Sequence, residues 1–193
     1  MPRVSREQAE KNRETIEQVS SQLIRECGLS VSVADMMAAA GLTPGGFYGH
    51  FGSKDELTSI ACMRAFSEAS DRWEKRIATG PTANRARESL IDGYLSSRNR
   101  LQAVSCPLAS LAVDVSREEP IKPVRDEFAK GVAKLVALLE SVQKAELDDT
   151  QRHAAALADI STMVGALILA RATRGKPISN ELIEAARDAL HLT

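Results

Sequence analysis

Hydrophobic residues recur every three or four positions along most of the chain, and charged residues fill the positions between them. The first segment shows this clearly, with Ile16, Val19, Leu23 and Ile24 at helical spacing and glutamates and arginines between them. Such spacing places apolar side chains on one face of an α-helix. No stretch alternates convincingly with a period of two, so the sequence predicts an all-α fold.

Capping signals set the predicted ends of the helices. Gly28 ends the first helix as a C-terminal cap, and Ser32 with Asp35 forms the capping-box pattern that starts the second. Thr43 followed by Pro44 is typical of an N-cap and a proline at the first helical position. Periodicity and caps together predict about nine helices, over residues 6–27, 33–40, 44–50, 53–77, 83–100, 107–116, 120–145, 149–174 and 179–191.

Two of these helices have only about two turns each, and they meet at a short turn around Gly41 between two long helices. This is the helix-turn-helix arrangement. Phe47 and Phe51, four residues apart, are predicted to face the first helix. The opposite face is small and polar and presents Thr43, Gly45 and Tyr48. Because Gly45 and Gly46 have no side chains, the backbone of this face could enter a DNA major groove, which is about 12 Å wide.

Groups around this face are suited to phosphate contacts. Ser32 and Thr43 lie at helix N-termini, where backbone N–H groups favour anions. Further donors are Tyr48, His50 and Lys54, together with Arg3 and Arg6 on a free N-terminal arm. Taken singly, each hydroxyl is an ordinary helix cap and each basic residue an ordinary surface residue, so the prediction depends on the joint pattern.

The predicted organisation is a helix-turn-helix, three-helix DNA-binding domain over residues 1–56 and a helical effector-binding and dimerisation domain over residues 57–193. Small residues are frequent in the segment 149–174, where they would let helices approach closely. With residues 179–191, this segment could form half of a four-helix dimer interface. The alternative is burial of both helices within one subunit.

Composition and charge limit the kind of DNA binding that is expected. The 193 residues are 44% hydrophobic and 26% charged, as in ordinary globular proteins, with a net charge of −1. Residues 1–57 contain six lysines and arginines against eight aspartates and glutamates, a local net charge of −2. Few cations can therefore replace counterions, and we expect modest affinity with a shallow salt dependence.

Neither disulfide, membrane nor enzyme chemistry is indicated. Cys27, Cys62 and Cys106 are too few and too scattered for a disulfide framework or a zinc site and are typical of reduced cytosolic thiols. The most apolar run, residues 163–170, is far short of the ~20 residues of a membrane helix. No motif of a nucleophilic, metal-dependent or nucleotide-binding enzyme is found. We expect a soluble cytoplasmic protein that has no cofactor and is not an enzyme.

The run GLTPGGFYGHFGSKDEL, from Gly41 to Leu57, contains Tyr-x-His-Phe-x-Ser-Lys after a Gly-Leu-Thr turn. Together with Val33-Ala34-Asp35-Met36, it resembles the DNA-binding signature of the TetR family of bacterial transcriptional regulators. The resemblance covers about residues 6–61. Beyond them, the chain resembles the family only in length and helical character.

The resemblance implies a homodimeric repressor that binds a palindromic double-stranded DNA operator and leaves it when a small effector binds. It implies base contacts at Thr43, Pro44, Gly45 and Tyr48, and phosphate contacts at Ser32, Tyr48, His50 and Lys54. Pro44 stands where the family often has a basic residue, and Gly46 and Gly49 are small. Base readout would therefore depend on few side chains.

The resemblance also places an effector pocket between the DNA-binding helices and the dimerisation helices. The candidate lining residues are mostly apolar: Trp73, Tyr94, Leu108, Leu111, Phe128 and Met163. The candidate polar anchors are Arg98, Asp114 and His153. Each apolar candidate could instead be an ordinary core residue.

Cys106 supports an alternative mechanism. In Ser105-Cys106-Pro107 the thiol lies at the start of a short helix, and a helix N-terminus favours the thiolate. Some members of the resembled family have a similar segment, and some sense oxidants or electrophiles through cysteine. Cys106 is then either part of a thiol sensor in the effector site or a small buried packing residue. A further hypothesis is a helical interaction module without DNA binding.

Overall fold

Helical periodicity along the chain is matched by the computed structural model, which describes residues 5–102 and 106–192. Within them, nine α-helices and one 3-10 helix form the regular structure. The α-helices are α1 (Arg6–Cys27), α2 (Val33–Ala39), α3 (Lys54–Thr79), α4 (Ala83–Tyr94), α5 (Ser97–Leu101), α6 (Pro107–Arg117), α7 (Pro123–Glu140), α8 (Asp149–Ala172) and α9 (Ile178–Leu192), and the 3-10 helix covers Pro44–Gly49. The predicted all-α fold is confirmed.

The segment predicted as an α-helix over residues 44–50 is a 3-10 helix, with His50 as its C-cap residue. Three of its six residues are glycine, and each glycine costs an α-helix about 1 kcal/mol relative to alanine. A short segment of this kind is typical of 3-10 geometry. Thr43 is the N-cap residue, but its hydroxyl makes no capping hydrogen bond, contrary to the prediction.

Several other boundaries differ from the prediction, and the helix predicted over residues 120–145 is shorter, at Pro123–Glu140. The helix predicted over residues 83–100 is divided into α4 and α5, because the Ser96 hydroxyl accepts a hydrogen bond from the Asn99 N–H at 3.2 Å and caps a new helix. Ser5 caps α1, so Arg6 is the first residue of that helix and not part of a free arm. Arg3, the other residue predicted on that arm, lies outside the described residues.

The chain divides into two compact units. The first comprises Met1–Ser67 and Ser110–Gly131, and the second comprises Glu68–Ala109 and Val132–Thr193. The functional boundary placed between residues 56 and 57 stays a prediction. In the first unit the largest fully buried side chains include Ile16, Ile24, Met36, Met37, Phe47, Phe51, Leu57 and Leu111.

A buried polar network ties together several segments of the second unit. The Arg87 guanidinium on α4 donates from Nε and Nη2 to the two carboxylate oxygens of Asp159 on α8, each at 2.9 Å. Its Nη1 donates to the Leu190 carbonyl oxygen on α9 at 2.8 Å, and the Gln143 amide donates to Asp159 at 2.8 Å. A buried charge pair with this many hydrogen bonds fixes the relative placement of α4, α8 and α9.

Helix α8 is the one helix in the described ranges that is long and apolar enough to cross a membrane by length and composition alone. The sequence prediction considered only the apolar run over residues 163–170 and did not identify the whole of α8 as such a helix. In the structure α8 packs along α9, where the Ser179 hydroxyl donates to the Ala170 carbonyl oxygen at 2.7 Å. Its buried side includes Asp159 and Met163.

Candidate DNA-binding site

The helix-turn-helix begins with a capped helix, α2. The Ser32 hydroxyl accepts a hydrogen bond from the Asp35 N–H at 3.1 Å, and the Asp35 carboxylate accepts from both the Ser32 hydroxyl and the Ser32 N–H. The predicted capping box is therefore confirmed. Gly41 then turns the chain with a φ of +71°, a backbone conformation that favours glycine. This turn leads into the 3-10 helix.

The 3-10 helix is held by one aromatic face. Phe47 is 1% exposed and Phe51 is 2% exposed, and their ring centroids lie 5.7 Å apart. The Tyr48 and Phe47 rings meet in a T-shaped arrangement with centroids 5.2 Å apart, and Tyr48 is 81% exposed. The two phenylalanines therefore face the core, as predicted, and Tyr48 is left on the outer side.

The outer side of the 3-10 helix has an exposed backbone because its glycines carry no side chain. Gly45, Gly46 and Gly49 are all exposed, and none has a positive φ. A Cβ added at Gly45 or Gly49 would meet nothing within 4 Å, and one added at Gly46 would meet only the Met37 Cε at 3.7 Å. Neither backbone conformation nor internal packing therefore requires glycine at these positions.

Thr43, Pro44 and His50 border this exposed backbone. Thr43 and Pro44 are exposed, and His50 is half-buried. The His50 N–H donates to the Phe47 carbonyl oxygen at 2.9 Å and closes the 3-10 helix. One edge of the first unit is thus formed by Thr43, Pro44, Gly45, Gly46, Tyr48 and His50.

Lys54 and Ser32, the other predicted phosphate contacts, both already have partners within the protein. Lys54 Nζ donates to the Leu29 carbonyl oxygen at 3.0 Å. A lysine ammonium has three donors, so Lys54 keeps donors for a phosphate. The Leu29 N–H donates to the Asp114 carboxylate at 2.9 Å. Asp114 therefore fixes the turn between α1 and α2, and its role as an effector anchor stays a prediction.

Sequence reasoning missed Arg13, which lies against the end of the 3-10 helix. Its guanidinium donates to the His50 carbonyl oxygen, and its Cζ lies 4.3 Å from the centroid of the Phe51 ring. It also pairs with Glu17 at 3.0 Å and with Glu56 at 3.4 Å. The available signal was its position three residues before the buried Ile16, which places it near the core-facing side of α1.

The predicted effector residues divide between the two units. In the second unit, Trp73, Tyr94, Cys106, Leu108 and Met163 are buried, whereas Arg98 is exposed and its Nε lies 3.5 Å from the Gln102 Oε1. In the first unit, Leu111 is buried and Phe128 packs edge-on against Phe66 with centroids 5.2 Å apart. His153 is exposed and pairs with Glu140, so it is not directed into the interior as an anchor would be.

Three of these residues form a local cluster in the second unit. The Trp73 and Tyr94 rings meet edge-on with centroids 6.1 Å apart, and the Tyr94 hydroxyl lies 2.8 Å from the Cys106 sulfur. The Ala109 N–H also donates to that sulfur at 3.5 Å. Burial nevertheless raises the pKa of the Cys106 thiol above its ordinary value, because the charged form is poorly solvated. The predicted stabilisation of the thiolate by the helix N-terminus is therefore outweighed. Ser105 lies outside the described residues.

A cavity of about 220 Å³ lies in the first unit, and none of the predicted effector residues lines it. It is lined by the Leu29 turn, which Asp114 contacts, by the start of α3 and by the turn between α6 and α7, where Lys122 pairs with Asp55 at 2.7 Å. In the part of the chain that the structure describes, no group of three or more His, Cys, Asp or Glu side chains could hold a metal ion.

Comparison with known proteins supports the interpretation of the N-terminal segment. Residues 18–59 match the family model described as bacterial regulatory proteins, tetR family. No curated protein matches the chain in sequence. Solved structures with a similar fold include TetR-family regulators from three bacteria.

The regulator from Cytophaga hutchinsonii has a TM-score of 0.78 and 18% identity, covering 98% of this chain and 96% of that chain. The regulator from Legionella pneumophila has a TM-score of 0.75 and 19% identity, covering 100% and 98%. The regulator from Chloroflexus aurantiacus J-10-FL has a TM-score of 0.73 and 23% identity, covering 96% and 95%.

A capped short helix, a glycine turn and an exposed second helix define a helix-turn-helix protein, a class that binds duplex DNA. The match to the family model over residues 18–59 covers this helix-turn-helix segment. The helix-turn-helix segment belongs to the TetR family of bacterial regulators, and the chain has the fold of TetR-family transcriptional regulators along its length.

Proposed function

We propose that this protein is a dimeric transcriptional repressor that places the 3-10 helix of each subunit in the major groove of a palindromic operator. The observation that carries the proposal is the exposed backbone at Gly45, Gly46 and Gly49, which nothing in the protein itself requires. A partner that approaches the backbone closely accounts for it. Thr43, Pro44, Gly45, Gly46 and Tyr48 would meet the bases, and Ser32, Tyr48, His50 and Lys54 would meet phosphates.

An uncharged stripe on α8 supports dimerisation. Nine residues that project from one side of α8 carry no charge, and none of the nine is buried: Ala154, Leu157, Ala158, Ser161, Thr162, Gly165, Ile168, Leu169 and Ala172. Leu157 and Leu169 are 43% and 53% exposed, and a Cβ at Gly165 would meet nothing within 4 Å. Exposed apolar stripes with small residues let a second helix pack closely. A second copy of α8 and α9 would cover this stripe.

A two-fold dimer requires a two-fold operator, because two identical reading elements meet two identical half-sites. A small, mostly apolar effector bound by the second unit would favour a dimer whose reading elements no longer match the half-site spacing. A thiol sensor reacts as the thiolate, and burial and the raised pKa of the Cys106 thiol both disfavour that form. We therefore favour release by a bound effector over release by a thiol sensor.

The DNA-binding proposal is tested by gel shift with the duplex upstream of the protein's own gene. We expect a retarded complex that the same unlabelled duplex displaces and a scrambled duplex of equal length does not. Because few cations are available, log K should fall with log salt at a slope well below the ~10 of a repressor with many phosphate contacts. Equal binding to both duplexes, or none to either, would contradict the proposal.

The dimer is tested by Gly165→Arg. The site is open within the subunit, so the arginine should not disturb the fold, but it would place a charge at the centre of the stripe. We expect the native protein to sediment at twice the chain mass of 20.9 kDa and the variant at the chain mass. Ala133→Arg, on the exposed side of α7 beside Lys134, is the control and should stay dimeric. A dimeric Gly165→Arg variant would rule out this stripe as the interface.

A further inference from the structure

We propose that Arg13 is a positioning residue that fixes the 3-10 helix in the orientation in which its exposed face meets DNA. The inference rests on the DNA-binding function proposed above. Arg13 lies on α1, and its partners lie at the end of the 3-10 helix and at the start of α3. It therefore joins α1 to the C-terminal end of the reading element and to the helix that follows it.

The first contact satisfies the end of the 3-10 helix. The last carbonyl groups of any helix have no partner within it. The His50 carbonyl oxygen, at the C-cap position, accepts a hydrogen bond from Arg13 Nη1. Because this acceptor is part of the backbone, its position sets the position of the 3-10 helix directly. A hydrogen bond from a charged donor is also stronger than one from a neutral donor.

The second set of contacts joins Arg13 to the helices on both sides. Nε pairs with Glu17 on α1 at 3.0 Å, and Nη2 donates to Glu56 on α3 at 3.4 Å. The other carboxylate oxygen of Glu56 accepts from the Gly52 N–H at 2.7 Å, in the turn that follows the 3-10 helix. One guanidinium and one carboxylate thus connect α1, this turn and α3.

The third contact holds the plane of the guanidinium. Its Cζ lies 4.3 Å from the centroid of the Phe51 ring, which is buried next to Phe47. This is a cation–π contact, and it orients the fork toward His50 and Glu56. A lysine ammonium carries its three donors on one nitrogen, so it lacks the spread of the planar fork that reaches Glu17, the carbonyl and Glu56 at once. The geometry is therefore specific to arginine.

The test compares Arg13→Ala and Arg13→Lys with the native protein on the upstream duplex. Loss of a hydrogen bond from a charged group should lower DNA affinity about tenfold or more in the alanine variant. Arg13→Lys should recover little, because charge alone does not rebuild the bridge. The slope of log K against log salt should not change, since no phosphate contact is removed. Lys11→Ala, which breaks only the exposed pair with Glu7 on the same helix, should bind like the native protein.

Two further measurements separate positioning from a general loss of stability. Titration at DNA concentrations far above Kd gives the fraction of protein molecules that can bind DNA. At temperatures well below unfolding, this fraction should be the same in the Arg13→Ala variant as in the native protein. Hydrogen exchange should show faster exchange at the amides of His50 and Phe51, which both bond to the Phe47 carbonyl oxygen, with α2 still protected.

Three outcomes would overturn the proposal. A salt slope reduced by about one in Arg13→Ala, with near-native binding by Arg13→Lys, would make Arg13 a phosphate contact. Native affinity in Arg13→Ala would remove its role altogether. Unchanged exchange at His50 and Phe51 would show that Arg13 does not hold the 3-10 helix. If the native protein itself binds no specific DNA, the proposed function fails, and the exchange experiment still decides whether Arg13 holds this helix.

Discussion

Gly45→Leu should lose about a hundredfold in DNA affinity while its free energy of unfolding stays near that of the native protein. The space around a Cβ at this position is empty in the folded chain, and the backbone there does not have a positive φ. A leucine side chain therefore costs the free protein little. In the complex the same space would hold base edges or phosphates, and overpacking costs about 1–3 kcal/mol, where ~1.4 kcal/mol is a tenfold change.

Graded side chains and a distant control make this experiment specific. Gly45→Ala should fall between the native protein and Gly45→Leu, because its methyl group fills only part of the gap. Ala129→Leu, on the exposed side of α7, should bind DNA like the native protein. Fluorescence anisotropy with the upstream duplex measures affinity, and urea unfolding measures stability. If Gly45→Leu bound as tightly as the native protein, the exposed face of the 3-10 helix would not be the DNA-binding surface.

Local signals predicted those parts of the fold that local interactions determine. The end of α1 at Gly28, the capping box of Ser32 and the inward face of Phe47 and Phe51 all follow from spacing within a few residues. The same spacing did not predict that the helix containing Phe47 is a 3-10 helix. A 3-10 helix and an α-helix of two turns bury nearly the same positions, so the apolar pattern cannot distinguish them.

Contacts between distant parts of the chain could not be predicted in this way. Arg13 and His50 are 37 residues apart, and Leu29 and Asp114 are 85 apart. No periodicity relates such pairs, and a charged residue on a helix is typical of a solvated surface. Cys106 shows the same limit, because its position at a helix N-terminus favours the thiolate, whereas burial by the tertiary structure raises its pKa. The chemistry of these residues is set by packing.

Asp159→Ala should destabilise the protein by about 3–5 kcal/mol, because it leaves the Arg87 guanidinium buried without its carboxylate. The Gln143 amide loses its acceptor in the same step. Urea unfolding followed by the fluorescence of Trp73, the one tryptophan in the chain, reports the change.

The double variant Arg87→Met with Asp159→Leu tests the cause of that loss. It removes both charges and keeps most of the side-chain volume, and apolar replacement of a whole buried pair is often neutral or stabilising. We therefore expect it to recover most of the stability that Asp159→Ala loses. Gln22→Ala, whose amide pairs only with the exposed Glu26 on α1, is the control and should change stability little.

If the double variant were as unstable as Asp159→Ala, the network would act through its hydrogen bonds to Leu190 and Gln143, and the cost would not come from an unpaired charge. The two outcomes thus decide whether α4, α8 and α9 are held by charge compensation or by hydrogen bonds that an apolar pair cannot replace.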